Sequence, residues 1–151
     1  MLTRRKTLGL LTATPAAIVL LPSVALAREP EVFQNPIAIN AVDPVGYFDQ
    51  EKPVSGAAAH AQLWNGAEWH FANRSNADKF AANPEAYAPE FGGYCAFAAS
   101  RGYLAPTIPE AWTIYEGKLY LNASLRAQEL WRQDIPGNIA AGLGNWPGIL
   151  G

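Results

Sequence analysis

Two stretches of the chain alternate apolar and polar residues on either side of a two-residue turn signal. The turn signals are Asn65-Gly66 and Glu116-Gly117, and asparagine followed by glycine is the preferred pair for a tight turn between antiparallel strands. In the second stretch Trp112 and Ile114 fall on one face, as in a strand that buries one side. The pattern therefore predicts two β-hairpins. Their strands are residues 61–64, 68–71, 112–115 and 118–122.

Helical spacing lies between and after these hairpins. Three short helices are predicted: from Asn73 or Ser75 to Ala82, from Tyr94 to Ser100, and from Leu125 to Gln133. Asn83-Pro84 ends the first helix, Gly102 closes the second, and Ser124 caps the third. Inner faces are expected at Ala77, Phe80 and Ala81 in the first helix and at Ala127, Leu130 and Trp131 in the third. Hairpins interleaved with short helices indicate a single small α+β domain, in which helices pack on a short antiparallel sheet.

Residues 1–27 have the three parts of a secretory signal, which predicts that the protein is exported. The basic pair Arg4-Arg5 precedes an apolar run from Leu8 to Leu21, and Ala25-Leu26-Ala27 provides small residues for cleavage. Adjacent arginines before a weakly apolar run favour the twin-arginine route over an ordinary secretory signal. An uncleaved anchor is disfavoured because the run is shorter than the roughly 20 residues that span a bilayer. We expect cleavage after Ala27, a periplasmic location, and the twin-arginine translocase and signal peptidase as export partners.

The length and the net charge of the chain after signal cleavage exclude some classes of function. The chain divides into a lead-in (28–36), one domain (37–136) and a C-terminal tail (137–151), which we expect Trp146 to anchor. The signal removes three basic residues, leaving eight basic and 13 acidic residues and a net charge of −5. An acidic domain is not suited to nucleic acid or an anionic membrane surface. No stable membrane span is expected in the mature chain.

Cys95, the only cysteine, is the strongest candidate for chemistry. Gly92-Gly93 would allow a substrate or another chain to approach closely. A helix that begins near Tyr94 would place partial positive charge at the sulfur and favour the thiolate. The alternative is a buried cysteine that packs as a small hydrophobic residue. Since the chain has no second cysteine, a thiol cycle would need an outside thiol.

His60 and His70 are the only imidazoles. Strand alternation places His70 on the face opposite Trp69 and Phe71, which is most simply the solvent face. His60 precedes the first hairpin and could approach His70 across it. With Cys95, the two histidines would supply ligand types that suit copper or zinc.

Asp43 and the tryptophans have structural explanations. Asp43 stands before Pro44, where an Asx-type turn would position the first strand. The five tryptophans are interpreted mainly as core residues rather than as platforms for a cofactor.

These motifs, taken in order, resemble the YHS domain. The resemblance over about 43–87 rests on Asp43-Pro44-Val45, Trp69-His70-Phe71, Phe80 and Asn83-Pro84-Glu85-Ala86-Tyr87. Downstream segments resemble an exported YHS subfamily in which the cysteine can be replaced by selenocysteine. They are Gly92-Gly93-Tyr94-Cys95-Ala96, Ala111-Trp112-Thr113-Ile114, Gly117-Lys118-Leu119-Tyr120-Leu121-Asn122 and Asn145-Trp146-Pro147.

The resemblance implies metal handling, but the chain departs from it at the metal ligands. Better-known YHS modules carry cysteines at positions that match Gly46, Ala72 and Asn76, and none of these residues supplies a thiolate. We therefore expect an exported YHS-type binding module linked to metal or redox handling through Cys95, with His70 and His60 as further ligands. Its expected partner is a periplasmic redox or metal-handling protein.

Two alternatives to this hypothesis stay open. One is a thiol-dependent oxidoreductase with Cys95 as its nucleophile. The other is a non-catalytic interaction protein that docks on a redox partner and uses Cys95 structurally. The sequence names no reaction, and binding is favoured over catalysis.

Overall fold

The structure is a computed structural model that describes Ser23 and residues 25–151. Most of the predicted signal peptide, residues 1–27, therefore lies outside the described residues. Within the described part of the chain, no helix is long and apolar enough to cross a bilayer.

Both predicted hairpins form. Strand β1 (Ala57–Trp64) pairs with β2 (Ala67–Phe71), and β3 (Trp112–Tyr115) pairs with β4 (Lys118–Leu121), each antiparallel. Both residues of each turn have positive φ, as the tight turn between such strands requires. The hairpins form two separate two-stranded sheets, which helices connect and cover.

Short helices complete the α+β fold, and this fold class is confirmed. The described residues form α1 (Pro44–Asp49), α2 (Arg74–Ala82), α3 (Pro84–Tyr87), α4 (Ala96–Ser100), α5 (Leu125–Arg132) and α6 (Ile135–Asn145), with short 3-10 helices at Ile39–Ala41, Glu90–Gly93 and Gly148–Leu150. Two predicted caps are confirmed, since Asn73 accepts a hydrogen bond from the Asn76 amide and Ser124 accepts one from the Ala127 amide. Ala81, expected on the inner face of α2, is exposed.

The segment after Asp43 is a helix and not the predicted strand. Asp43 Oδ1 accepts a hydrogen bond from the Val45 amide at 2.9 Å, which is the predicted Asx turn. That turn caps α1, where Pro44 occupies the first helical position and loses no hydrogen bond. The Asx turn is therefore confirmed, but the predicted strand after it is wrong, because the turn begins helix α1.

Two main groups of aromatic side chains form the core. In the first, Phe80 of α2 packs against Trp69 and Phe71 of β2, with ring centroids 5.2 and 4.9 Å apart. In the second, Trp131 of α5 packs on Tyr120 of β4 at 4.9 Å. Because β4 contributes to both groups, it joins the two halves of the domain.

Strand β3 is covered on both faces, in contrast to the predicted single buried face. Trp112 and Ile114 pack against the first core group, while Thr113 is buried beneath α5. The Thr113 hydroxyl accepts hydrogen bonds from Gln128 and Arg132, and these bonds compensate a polar side chain on an inner face.

The predicted lead-in and tail are both integrated into the fold. Phe33 is buried against Tyr94, with ring centroids 5.7 Å apart. Most of the predicted tail belongs to α6, which packs along α4. The expected anchoring by Trp146 is observed, since its ring lies 6.0 Å from Phe91 and 6.3 Å from Tyr94.

Candidate functional site

Cys95 is the N-cap residue of α4, because the helix begins two residues later than predicted. Its Sγ accepts a hydrogen bond from the Ala98 amide and donates one to Asn122 Oδ1, both at 3.4 Å. Cys95 is only 2% exposed, whereas a catalytic thiolate must be reached by its substrate. The geometry therefore gives the sulfur a structural role as a helix cap.

Asn122 is the partner of Cys95 that the sequence analysis missed. Its side chain is wholly buried at the end of β4, and its Oδ1 also accepts a hydrogen bond from the Phe97 amide at 3.0 Å. The Asn122 side chain thus joins the end of β4 to the start of α4. Its Nδ2 has no acceptor among the described residues. The available signal was a polar residue that directly follows the apolar end of a strand.

Gly92 and Gly93 allow a close approach, as expected, but the approaching groups belong to this chain itself, to its lead-in and to the start of the domain. Both glycines have positive φ, of 62° and 85°. The Phe33 amide donates to the Gly92 carbonyl oxygen at 2.9 Å, and the Ile39 side chain lies over Gly93. In the structure, the space that was predicted for a substrate is filled from within the fold.

His70 lies opposite Trp69 and Phe71, as alternation predicts, but its side chain is mostly buried. Its Nε2 lies 2.7 Å from Glu68 Oε1 on the same face of β2. Across the hairpin, Ala61 is the residue paired with His70, and His60 falls in the irregular stretch before it. Glu68 is therefore the partner that the structure provides for this imidazole.

The three predicted metal ligands do not form a metal site in the structure. Among the residues that the structure describes, no group of three or more His, Cys, Asp or Glu side chains is placed to hold a metal ion. The sulfur of Cys95 contacts Asn122, while His70 contacts Glu68. The copper or zinc hypothesis for Cys95, His60 and His70 thus receives no support from the geometry.

Asp43 forms a fully buried hydrogen-bonding centre. Besides capping α1 through Oδ1, it accepts two hydrogen bonds at Oδ2, from the Ala72 amide at 2.8 Å and from Asn76 Nδ2 at 2.7 Å. In the resemblance drawn from the sequence, Ala72 and Asn76 are two of the positions at which cysteines were expected of metal-handling YHS modules. Here these positions serve a carboxylate that ties α1 to the end of β2 and to α2.

A groove with aromatic walls crosses the junction of several elements. It consists of two adjoining cavities of about 380 and 200 Å³, which share Phe91. Trp64 and Trp146 line the larger cavity and Tyr120 lines the smaller one. We call this surface, defined by Trp64, Phe91, Tyr120 and Trp146, the aromatic groove.

Charged side chains cross and border the aromatic groove. Lys118 donates a hydrogen bond to Glu90 Oε1 at 3.2 Å, and both residues line the two cavities. Glu85 lines the larger cavity and Glu116 the smaller one, and neither forms an ion pair within the described part of the chain. Burial, together with the nearby Glu90 and Glu116 carboxylates, raises the pKa of Tyr120 to about 12.

Comparisons of this chain with protein-family models, with curated proteins and with solved structures found no match.

Proposed function

We propose that the protein is an exported, non-catalytic interaction module of the YHS type, which docks a partner in the aromatic groove. The observation that carries the proposal is the groove itself. Its four aromatic residues come from segments far apart in the sequence, and Trp64 and Trp146 are only partly buried. Partly exposed tryptophans beside a cavity are among the side chains that contribute most to binding at protein interfaces.

The position of Cys95 supports this function over a thiol oxidoreductase. The sulfur is enclosed, and it uses its donor and its acceptor capacity within the fold. A nucleophile needs an open path to its substrate, and Cys95 is only 2% exposed. In this proposal Cys95 stabilises the fold, and the aromatic groove binds the partner.

Cys95 is expected to resist thiol reagents in the native protein. Iodoacetamide should modify it at least 100-fold more slowly in buffer than in guanidinium chloride, because the sulfur is enclosed. Cys95→Ser keeps both a capping oxygen and a donor to Asn122, whereas Cys95→Ala loses both. We therefore expect the alanine variant to lose about 1–2 kcal/mol more of the free energy of unfolding than the serine variant. Rapid native labelling, followed by mass spectrometry, would instead support the oxidoreductase hypothesis.

Docking in the groove is expected to be detectable by site-specific photocrosslinking in cells that export the protein. Leu143 lines the groove and is 57% exposed, while Leu125 on α5 does not line it and is 60% exposed. A benzophenone amino acid at Leu143 should give a discrete crosslinked product on a gel, and the same group at Leu125 should not. The product should persist in the Cys95→Ser background. Equal products from both positions, or none from Leu143, would contradict docking in the groove.

A further inference from the structure

We infer that the aromatic groove binds an extended, arginine-bearing segment of another protein; this inference rests on the proposed docking function. The groove carries three carboxylates, of Glu85, Glu90 and Glu116, against the single ammonium group of Lys118. It therefore has an excess of two negative charges. A cationic segment complements that excess, and an acidic one would be repelled.

Both cavities of the groove carry charged side chains. Lys118 is already paired with Glu90 at the boundary between the two cavities. The two remaining carboxylates line different cavities, Glu85 the larger one and Glu116 the smaller one. A segment that follows the groove would therefore meet one free carboxylate in each cavity.

The aromatic side chains favour arginine over lysine as the cation. The planar guanidinium group stacks on aromatic faces and forms paired hydrogen bonds with a carboxylate, whereas an ammonium group acts as a point charge. Trp64 and Glu85 line the larger cavity together, and Tyr120 and Glu116 line the smaller one together. The larger cavity thus combines a partly exposed tryptophan with a free carboxylate, whereas in the smaller cavity Tyr120 is only 3% exposed and Glu116 supplies the charge.

An extended segment can reach two adjoining cavities at once. Grooves lined by aromatic residues bind proline-containing segments in the polyproline II conformation, which rises about 3.1 Å per residue. A five-residue peptide of this kind spans about 15 Å. The test peptide is acetyl-Pro-Arg-Pro-Arg-Pro-amide, and its matched controls replace both arginines with glutamine or with glutamate.

The test is a titration of the ¹⁵N-labelled full-length protein with each peptide, followed by NMR. The arginine peptide should shift the indole signals of Trp64 and Trp146, assigned with phenylalanine variants, and the glutamate peptide should shift neither. The double substitution Glu85→Gln and Glu116→Gln should raise the dissociation constant about 5-fold, since two surface charge pairs are lost. Glu51→Gln, at an exposed carboxylate outside the groove, should leave it unchanged.

Each other outcome overturns the inference. Equal shifts with all three peptides, shifts confined to residues outside the groove, or no shifts at millimolar peptide would exclude an arginine-bearing occupant. Dimerisation that the glutamine substitutions abolish, measured by sedimentation, would make a second copy of this chain the occupant. If the Leu143 crosslink persists while the arginine peptide fails to bind, only this inference is lost. If the crosslink is absent as well, the docking function fails with it.

Discussion

Replacing Asp43 with alanine is expected to lower the free energy of unfolding by about 3–5 kcal/mol, the largest effect of any single polar substitution that we predict. The carboxylate is fully buried and accepts hydrogen bonds from Val45, Ala72 and Asn76. Alanine would leave all three donors without this acceptor, and an unsatisfied buried donor costs more than the net gain from a typical hydrogen bond. Urea denaturation monitored by tryptophan fluorescence measures the loss.

Three comparisons separate the hydrogen bonds of Asp43 from its charge. Asp43→Asn keeps one acceptor oxygen and should lose less stability than Asp43→Ala. Asp49→Ala removes a carboxylate whose ion pair with Lys79 is partly exposed, and it should cost at most about 1 kcal/mol. The effects of Asp43→Ala and Asn76→Ala should not add, because each removes the same bond. Equal losses for Asp43→Ala and Asp49→Ala would contradict a structural centre at Asp43.

The elements that the sequence predicted correctly depend on local information. A turn pair such as Asn65-Gly66 fixes its own backbone angles, and the alternation beside it fixes the strands. The Asn73 and Ser124 caps bond to amides three residues ahead. Each of these features is contained within one short segment, so no knowledge of the rest of the fold was needed.

The features that the sequence did not predict depend on distant residues. Helix α1 is held by a carboxylate whose other partners lie 29 and 33 residues further along the chain. The role of Cys95 is set by Asn122, 27 residues away, and by a helix start two residues later than predicted. Cys95 precedes the helix as its cap, and its Sγ accepts a hydrogen bond from the Ala98 amide.

The aromatic groove illustrates the same limit for the candidate binding site. Composition indicated an aromatic-rich core, and most of the tryptophans are indeed packed there. The partial exposure of Trp64 and Trp146 arises only when the first hairpin and the end of α6 meet at the 3-10 helix Glu90–Gly93. Residue type alone therefore could not separate core tryptophans from those that line a cavity.

Replacing Gly92 with alanine is expected to lower the free energy of unfolding by about 2–4 kcal/mol. Gly92 has a φ of 62°, a backbone conformation that alanine adopts only with strain. A Cβ at this position would also overlap the carbonyl oxygen of Glu31 in the lead-in. Relief of that overlap would displace the lead-in and break the hydrogen bond from Phe33 to Gly92. Hydrogen exchange at the Phe33 amide should therefore accelerate along with the loss of stability.

Gly117→Ala provides the matched control, because it separates backbone strain from steric overlap. Gly117 has a similar φ of 75°, but an added Cβ there would meet no atom within 4 Å. Its substitution should cost at most about 1 kcal/mol, since the strain is partly offset by the reduced freedom of the unfolded chain. The excess loss in Gly92→Ala then measures how tightly the lead-in packs on the Gly92-Gly93 turn. Equal losses for the two variants would mean that the lead-in moves away at little cost, and the space over Gly92-Gly93 would then be open to an outside molecule, as the sequence predicts.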